Sequence, residues 1–281
     1  MLFRKIPQKT RWKLSTSAGY DGTVLNTYVG YSNSIQMRQT GSSGGVATTL
    51  MWYLLDSKEV DGCIVSRMNP EKPWMAEPFI AKSFEDLILS QGSRYTIIPL
   101  NSIFSFIRNL PGKYAYVALP CQVHGFRKAA ATDEILKKKI HSVIGLQCGG
   151  ALEPYLISEM LQAKKIKPQD IADFQFRGGE WPGKIRAILK AGHKAVDLHY
   201  SNYKDGGYNY FIGMYMPKRC QTCVDGSNEL SDISVSDVWT KDTSGNYKFK
   251  SHSRIIIRTS LGEKILKKAM RLGYLTALDV S

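Results

Sequence analysis

Two apolar runs, each closed by a cysteine, constrain this chain more than any other feature. Tyr114-Ala115-Tyr116-Val117-Ala118-Leu119 has strand length and ends at Pro120-Cys121. Residues 122–139 carry a helical pattern, and Ser142-Val143-Ile144-Gly145-Leu146 is a second apolar stretch ending at Gln147-Cys148. Strand, helix and strand in that order predict two parallel neighbours joined by a right-handed crossover. Parallel neighbours lie about 4.8 Å apart, so both thiols are expected at one carboxyl edge, where open α/β sheets bind their ligands. The expected fold class is therefore α/β, with mixed sheets and a strand-helix-strand unit carrying two cysteines at its carboxyl edge.

The rest of the chain is read by the same periodicities. Residues 1–27 are polar and weakly patterned, a surface segment or one that covers a partner. A short strand is expected at 28–32. The loop Thr40-Gly41-Ser42-Ser43-Gly44-Gly45 runs into a helix at 46–55. Strands follow at 62–66 and 79–81, then helices at 84–89 and 102–109. The turn Leu110-Pro111-Gly112-Lys113 marks a soft boundary between regions 1–110 and 111–281, which could also form one unit. Beyond Cys148 the pattern predicts a helix at 154–163, a glycine- and aromatic-rich turn at 174–183, a hairpin from 185–189 and 195–200, a strand at 254–258 and a helix at 262–272.

With 43% hydrophobic residues in 281, the chain can bury a substantial core. No stretch approaches the roughly 20 apolar residues of a membrane helix, and residues 1–13 lack the apolar run of a signal peptide. A soluble, cytoplasmic protein is expected. The net charge of +14 attracts anions, whether nucleic acid, an acidic protein or a small phosphate- and carboxylate-bearing ligand. Its lysines are scattered, as in Lys137-Lys138-Lys139, Lys164-Lys165 and Lys267-Lys268, and no nucleic-acid motif accompanies them. Nucleic acid is not expected as the principal partner.

Five cysteines are too few for a disulfide scaffold, and grouped cysteines in a reducing compartment are more often metal or redox ligands. Cys220 and Cys223 form a C-x-x-C hook. With Cys121 and Cys148 the separations are 27, 72 and 3 residues, unlike the paired hooks of a zinc ribbon. Four thiolates suit an iron-sulfur cluster or zinc, and spacing favours the cluster without excluding the ion. A thioredoxin-like role would place the hook after a strand and at a helix start, whereas polar loop follows it here. Cys63, inside an apolar run, reads as a small core residue.

Ser43, Gly44 and Gly45 at a helix N-terminus offer unpaired N–H groups to a phosphate, although such turns also serve simply as caps. Neither the dinucleotide-binding G-x-G-x-x-G nor the P-loop pattern occurs. Gly92-Ser93-Arg94-Tyr95 combines flexibility, a hydroxyl, a guanidinium and a ring that a flavin or its phosphates could use, or is an ordinary loop. Arg177, Trp181 and Lys184 make a second cationic-aromatic group. Trp239 reads as core packing. His124, three residues after Cys121, reads as a local hydrogen-bonding residue, since no catalytic histidine motif is present.

In order, Ser43-Gly44-Gly45-Val46, Gly92-Ser93-Arg94-Tyr95, Leu119-Pro120-Cys121-Gln122-Val123, Gln147-Cys148-Gly149, Arg177-Gly178-Gly179-Glu180-Trp181, Cys220-Gln221-Thr222-Cys223 and Asp232-Ile233-Ser234-Val235-Ser236-Asp237-Val238-Trp239 resemble the coenzyme F(420) hydrogenase/dehydrogenase beta-subunit family. The resemblance runs from about Tyr28 onward. It implies an iron-sulfur flavoprotein, carrying FAD and a 4Fe-4S cluster, that passes electrons between the deazaflavin coenzyme F(420) and iron-sulfur or hydrogenase/dehydrogenase-type partner subunits. Cys121, Cys148, Cys220 and Cys223 become the implied cluster ligands. Ser43, Gly44, Gly45, Gly92, Ser93, Arg94 and Tyr95, with Gln122, Arg177, Trp181, Lys184 and Asp237, become the implied flavin contacts. The resemblance thus assigns flavin contact to region 1–110 and both cofactors to 111–281. Ser236 departs from the family's glycine, and the cysteine-bearing ferredoxin-like segment that some members carry at the N-terminus is not found here. Two rivals stay open: a flavin reductase of another organic acceptor, and a zinc-stabilised basic nucleic-acid-binding module.

Overall fold

The apolar runs of the chain zip into one broad sheet and one small one. The computed structural model describes residues 21–199, 201 and 208–281. Residues 1–20, most of the weakly patterned leading segment, lie outside the described residues, as does Tyr200 of the expected hairpin. In chain order the strands are β1 (Asn26–Ser32), β2 (Gly62–Met68), β3 (Ala76–Ala81), β4 (Tyr114–Ala118), β5 (Ile140–Leu146), β6 (Ile171–Gly178), β7 (Lys184–Leu189), β8 (Ala195–Asp197), β9 (Ile233–Asp237), β10 (Ser253–Ile257) and β11 (Leu275–Asp279). The helices are α1 (Ile35–Thr40), α2 (Val46–Asp56), α3 (Phe84–Leu89), α4 (Phe104–Ile107), α5 (Pro120–Ala130), α6 (Glu134–Lys139), α7 (Tyr155–Ala163), α8 (Tyr208–Tyr215), α9 (Lys218–Gln221) and α10 (Ser260–Arg271).

The large sheet runs β11-β1-β10-β9-β5-β4-β2-β3. Its centre, β2, β4, β5 and β9, is parallel, and its flanks are antiparallel. The expected strand-helix-strand unit is there, with β4 and β5 as parallel neighbours and α5 and α6 between them. Strands from both sides of residue 110 interleave in this sheet, so neither region owns it.

Side-chain alternation divides the core between the two faces. Cys63, Ala115, Ile144 and Ile233 pack with Leu50 and Leu54 of α2 and Ile265 and Leu266 of α10. Ile64, Tyr116 and Val143 point the other way, onto Phe104, Val123, Phe126 and Leu136. Each such side chain contributes roughly 1.5–3 kcal/mol when fully buried. A third cluster, with Leu156, Phe174, Phe176 and Ile185, holds the small β6-β7-β8 sheet against α7 and α8.

Several elements differ from the sequence reading, α1 and α8 being helices it did not expect. Where a turn was expected from residue 174, β6 continues to Gly178, because Ile171, Phe174 and Phe176 are buried and pair the segment with β7. The hook's Cys220 sits on the single-turn helix α9, and β11 forms only because β1 offers it a partner.

Glu59 ties the α2 and α10 layer together. Its carboxylate accepts hydrogen bonds from the Tyr53 hydroxyl at 2.6 Å and from Lys268 at 2.8 Å. Burial pushes the Glu59 pKa up, but the bonds from Lys268 and Tyr53 outweigh it and hold the group below its ordinary value. A depressed carboxylate stabilises the fold above its unfolded pKa of about 4.3, and the benefit is lost as pH falls through the lower folded value. Glu59→Gln should therefore cost about 1 kcal/mol near neutrality, and the gap should close on acidification below about pH 4. Urea midpoints measured across pH test this; a gap of constant size down to pH ~3 would contradict it.

Candidate functional site

The four grouped cysteines lie along one side of the sheet because two separate pieces of chain reach the same edge. Cys121 lies in the first turn of α5, directly after β4, and Cys148 lies two residues beyond β5. The hook is carried there by the loop that follows it. Asn228, fully buried with a left-handed backbone at φ 62°, donates its side-chain N–H groups to Ala118 O at 2.8 Å and Leu146 O at 3.1 Å. Those two carbonyls end β4 and β5. The Cys148 N–H closes the junction on Gly226 O at 2.9 Å.

Asp225 is buried, and its Oδ1 accepts the Asn228 N–H at 2.7 Å while its Oδ2 meets His124 Nε2 at 3.0 Å. Burial raises its pKa, yet the His124 bond and the Glu229 and Asn228 N–H groups hold it below the ordinary carboxylate range.

All four thiols are free. Burial pushes Cys148 up to about 11, and Cys121, Cys220 and Cys223 add to the rise. Cys121 is raised by burial and by Cys223 and Cys220, against the pull of Arg219. Among the described residues, no three histidine, cysteine or carboxylate groups close on a single ion position. The sulfurs are neighbours spread round an edge rather than gathered to a point. Cys63 lies elsewhere, in the core, with burial lifting its thiol to about 12.

A cavity of about 280 Å³ opens beside this edge. It is lined by Ser43, Gly45, Gly92, Ser93, Arg94, Tyr95, Gln122, Arg177 and Asp237, and also by Cys148. One thiol of the group therefore belongs to both places. Apolar Val46, Met51, Val65, Val117 and Val235 form much of the remaining wall. Gly45, at φ 73°, caps α2 without a side-chain bond, so the first turn of that helix presents its N–H groups at the cavity. Gln147 also lines it, with a buried Nε2 that has no hydrogen-bond acceptor.

Several expected contacts serve other ends. The Arg94 guanidinium lines the cavity but donates to the carbonyls of Leu89, Ser90, Gln91 and Gly92, closing the end of α3. Burial lowers its pKa to about 10, which leaves it charged at neutral pH. Gln122 spends its amide on Ile98 O and the Leu119 N–H. Gly44 lies behind the loop, where an added Cβ would stand 2.7 Å from Gly30 O and 2.8 Å from the Ser253 nitrogen. Lys184 is not brought to the site; it pairs with Asp197 at 3.3 Å on the small sheet.

A second cavity, about 400 Å³, shares Gly41, Ser42 and Arg177 with the first and adds Arg38, Trp181 and Pro182. Between the two, Arg177 grips Asp237 with two bonds, 2.7 and 3.1 Å long, and joins β6 to β9. Trp239, expected in the core, instead stacks on Trp181 with centroids 5.3 Å apart.

Comparison with known proteins gives this arrangement a family. Residues 27–105 match the family model described as "Coenzyme F420 hydrogenase/dehydrogenase, beta subunit N-term", and residues 112–281 match the corresponding C-terminus model. The chain belongs to the coenzyme F420 hydrogenase/dehydrogenase beta-subunit family. It is 25% identical over 263 residues to the coenzyme F420 hydrogenase subunit beta of Methanothermobacter thermautotrophicus, covering 90% of this chain and 83% of that one. It is 28% identical over 246 residues to the coenzyme F420-dependent sulfite reductase of Methanocaldococcus jannaschii, covering 83% of this chain but only 35% of that longer protein. A chain in a structure of the F420-reducing [NiFe] hydrogenase complex from Methanosarcina barkeri superposes with a TM-score of 0.71 at 25% identity, covering 92% of this chain and 84% of that one. Among the described residues, no helix is long and apolar enough to cross a membrane.

The loop bearing Asp225 and Asn228 reads in the sequence as merely polar. Its signal was there in the density of short side chains, Asp-Gly-Ser-Asn, that bond locally to backbone.

Proposed function

We propose that this chain is the iron-sulfur flavoprotein subunit of a larger oxidoreductase, exchanging electrons between the deazaflavin F(420) and iron-sulfur partner subunits. The observation that carries the reading is Cys148, which lines the 280 Å³ cavity and is also one of four free thiols carried to one sheet edge. The relatives named above differ in partner chemistry, while their names share F420.

The residues fit the two groups. Four free thiols match the donor set of a 4Fe-4S cluster, which would be held by Cys121, Cys148, Cys220 and Cys223. FAD would lie in the cavity, with its phosphates near the α2 N-terminus and the Ser43-Gly45 turn and its ring against the apolar wall. Gln147, lacking a protein acceptor for its N–H, is free to donate to such a ring. When bound, the flavin would trade electrons in pairs with the deazaflavin and singly with the cluster.

The chain's own contribution is placement. Val46, Met51, Val65 and Val117 exclude water from the ring position. Among the described residues the cavity wall includes no histidine, lysine or glutamate, and its Arg177 and Asp237 are paired with each other. The basic surface, at a net charge of +14, would draw in an anionic coenzyme.

Anaerobic purification followed by flavin and metal analysis tests the reading. About one FAD and about four irons per chain are expected, with F(420) reduced or oxidised by the loaded protein in a partner-dependent way. Zinc without flavin would overturn it.

A further inference from the structure

We propose that His124 is a positioning residue for the four-thiolate site: its bond to Asp225 latches the Cys121 turn of α5 to the Cys220–Cys223 hook. The inference rests on the proposed function and concerns how the chain holds its ligands together.

The two halves of the ligand set have different anchors. Cys148 and the loop after the hook are fixed to the sheet edge by Gly226 O and Asn228. Cys121 lies on α5, whose core contacts, Val123, Phe126 and Ala130, lie on another side of the helix. His124 stands three residues after Cys121 and so shares its face. Its Nε2 reaches Asp225 Oδ2 at 3.0 Å, and the nitrogen must carry the proton, since a carboxylate only accepts.

Asp225 follows Cys223 by two residues, and its backbone oxygen lies 3.5 Å from the Cys223 sulfur. The hydrogen bond therefore links two cysteines that are otherwise about 100 residues apart in sequence. Asp225 does not need His124 merely to be satisfied. It is also held by the N–H groups of Asn228 at 2.7 Å and Glu229 at 3.2 Å. The imidazole adds a tie between elements.

Two measurements on the full chain decide it. In the first, protein reconstituted anaerobically with ferrous iron and sulfide is challenged with excess chelator. His124→Ala should lose iron 10–100-fold faster than the natural chain, as removal of an outer hydrogen bond to a metal site typically does, with an almost unchanged urea midpoint. His124→Gln keeps a donor and should restore most of the retention. In the second, the iron-free chain is crosslinked between Cys121 and Cys223 with a short bismaleimide, and His124→Ala should slow that reaction by roughly 10-fold. Equal iron loss and equal crosslinking in the alanine variant would overturn the latch, as would an iron loss that glutamine fails to restore. If the natural chain takes up no iron at all, the proposed function falls, and the crosslinking rates alone still decide for or against His124.

Discussion

Cys148→Ser is expected, on the proposed function, to strip the chain of its iron while leaving flavin bound. Cys148 is the one thiol of the four that also lines the cavity, so it stands between the two places where electrons would rest. Its backbone N–H is already committed to Gly226 O, and the substitution removes a sulfur without moving that junction. Serine is nearly isosteric but is a poor ligand for a soft metal centre. Electron transfer from reduced F(420) to an iron-sulfur partner should fall on the order of 100-fold or more, whereas reduction of the bound flavin itself should persist. Absorbance near 400 nm, iron content and stopped-flow flavin reduction separate these effects. A variant that keeps full iron and full transfer would remove Cys148 from the relay.

Arg177→Ala should be the most damaging single change to stability. The Arg177 side chain is 3% exposed and that of Asp237 is 15%, so alanine would leave a carboxylate in a poorly solvated place without its guanidinium. Breaking one partner out of a buried pair costs about 3–5 kcal/mol. For a chain of this size that lowers the thermal midpoint by on the order of 10 °C. The same change opens the wall shared by the two cavities and frees β6 from β9, so flavin retention should drop along with stability. Arg177→Lys keeps the charge but cannot make the two-pronged contact, and should recover only part of the loss. Calorimetry of the two variants, and flavin released on dialysis, provide the check. An alanine variant that melts with the natural chain would show that the pair contributes no net stability.

What could be read in the sequence was whatever short-range pattern controls. The apolar runs ending at Cys121 and Cys148 gave β4, β5 and their parallel pairing, and the Gly-Ser turn gave the start of α2. Long-range partners were another matter. Asn228 reaches across 110 residues to Ala118 O, and no local pattern announces an amide that clamps two strand ends. Arg94 reads as a ligand contact because a guanidinium in a glycine loop suits phosphate; in the structure it lines the cavity while its terminal nitrogens bond four carbonyls at the end of α3. Lys184 was grouped with Arg177 by proximity in sequence. The β6-β7 hairpin turns it instead toward Asp197. Trp181 and Trp239 were read separately, and their stacking depends on how the small sheet docks.

The sheet order carries a consequence for biosynthesis. Among the described residues, the strands that pair with β1 are β10 and β11, which lie more than 200 residues later in the chain. A nascent polypeptide emerging from the ribosome can form α2, β2 and β3 early, but β1 must wait, unzipped, until β10 and β11 have been made. During that interval Tyr28 and Val29 are an uncovered sticky ribbon. A fragment ending near residue 105, although it matches a family model of its own, would keep that ribbon bare and should be recovered as aggregate rather than as a domain.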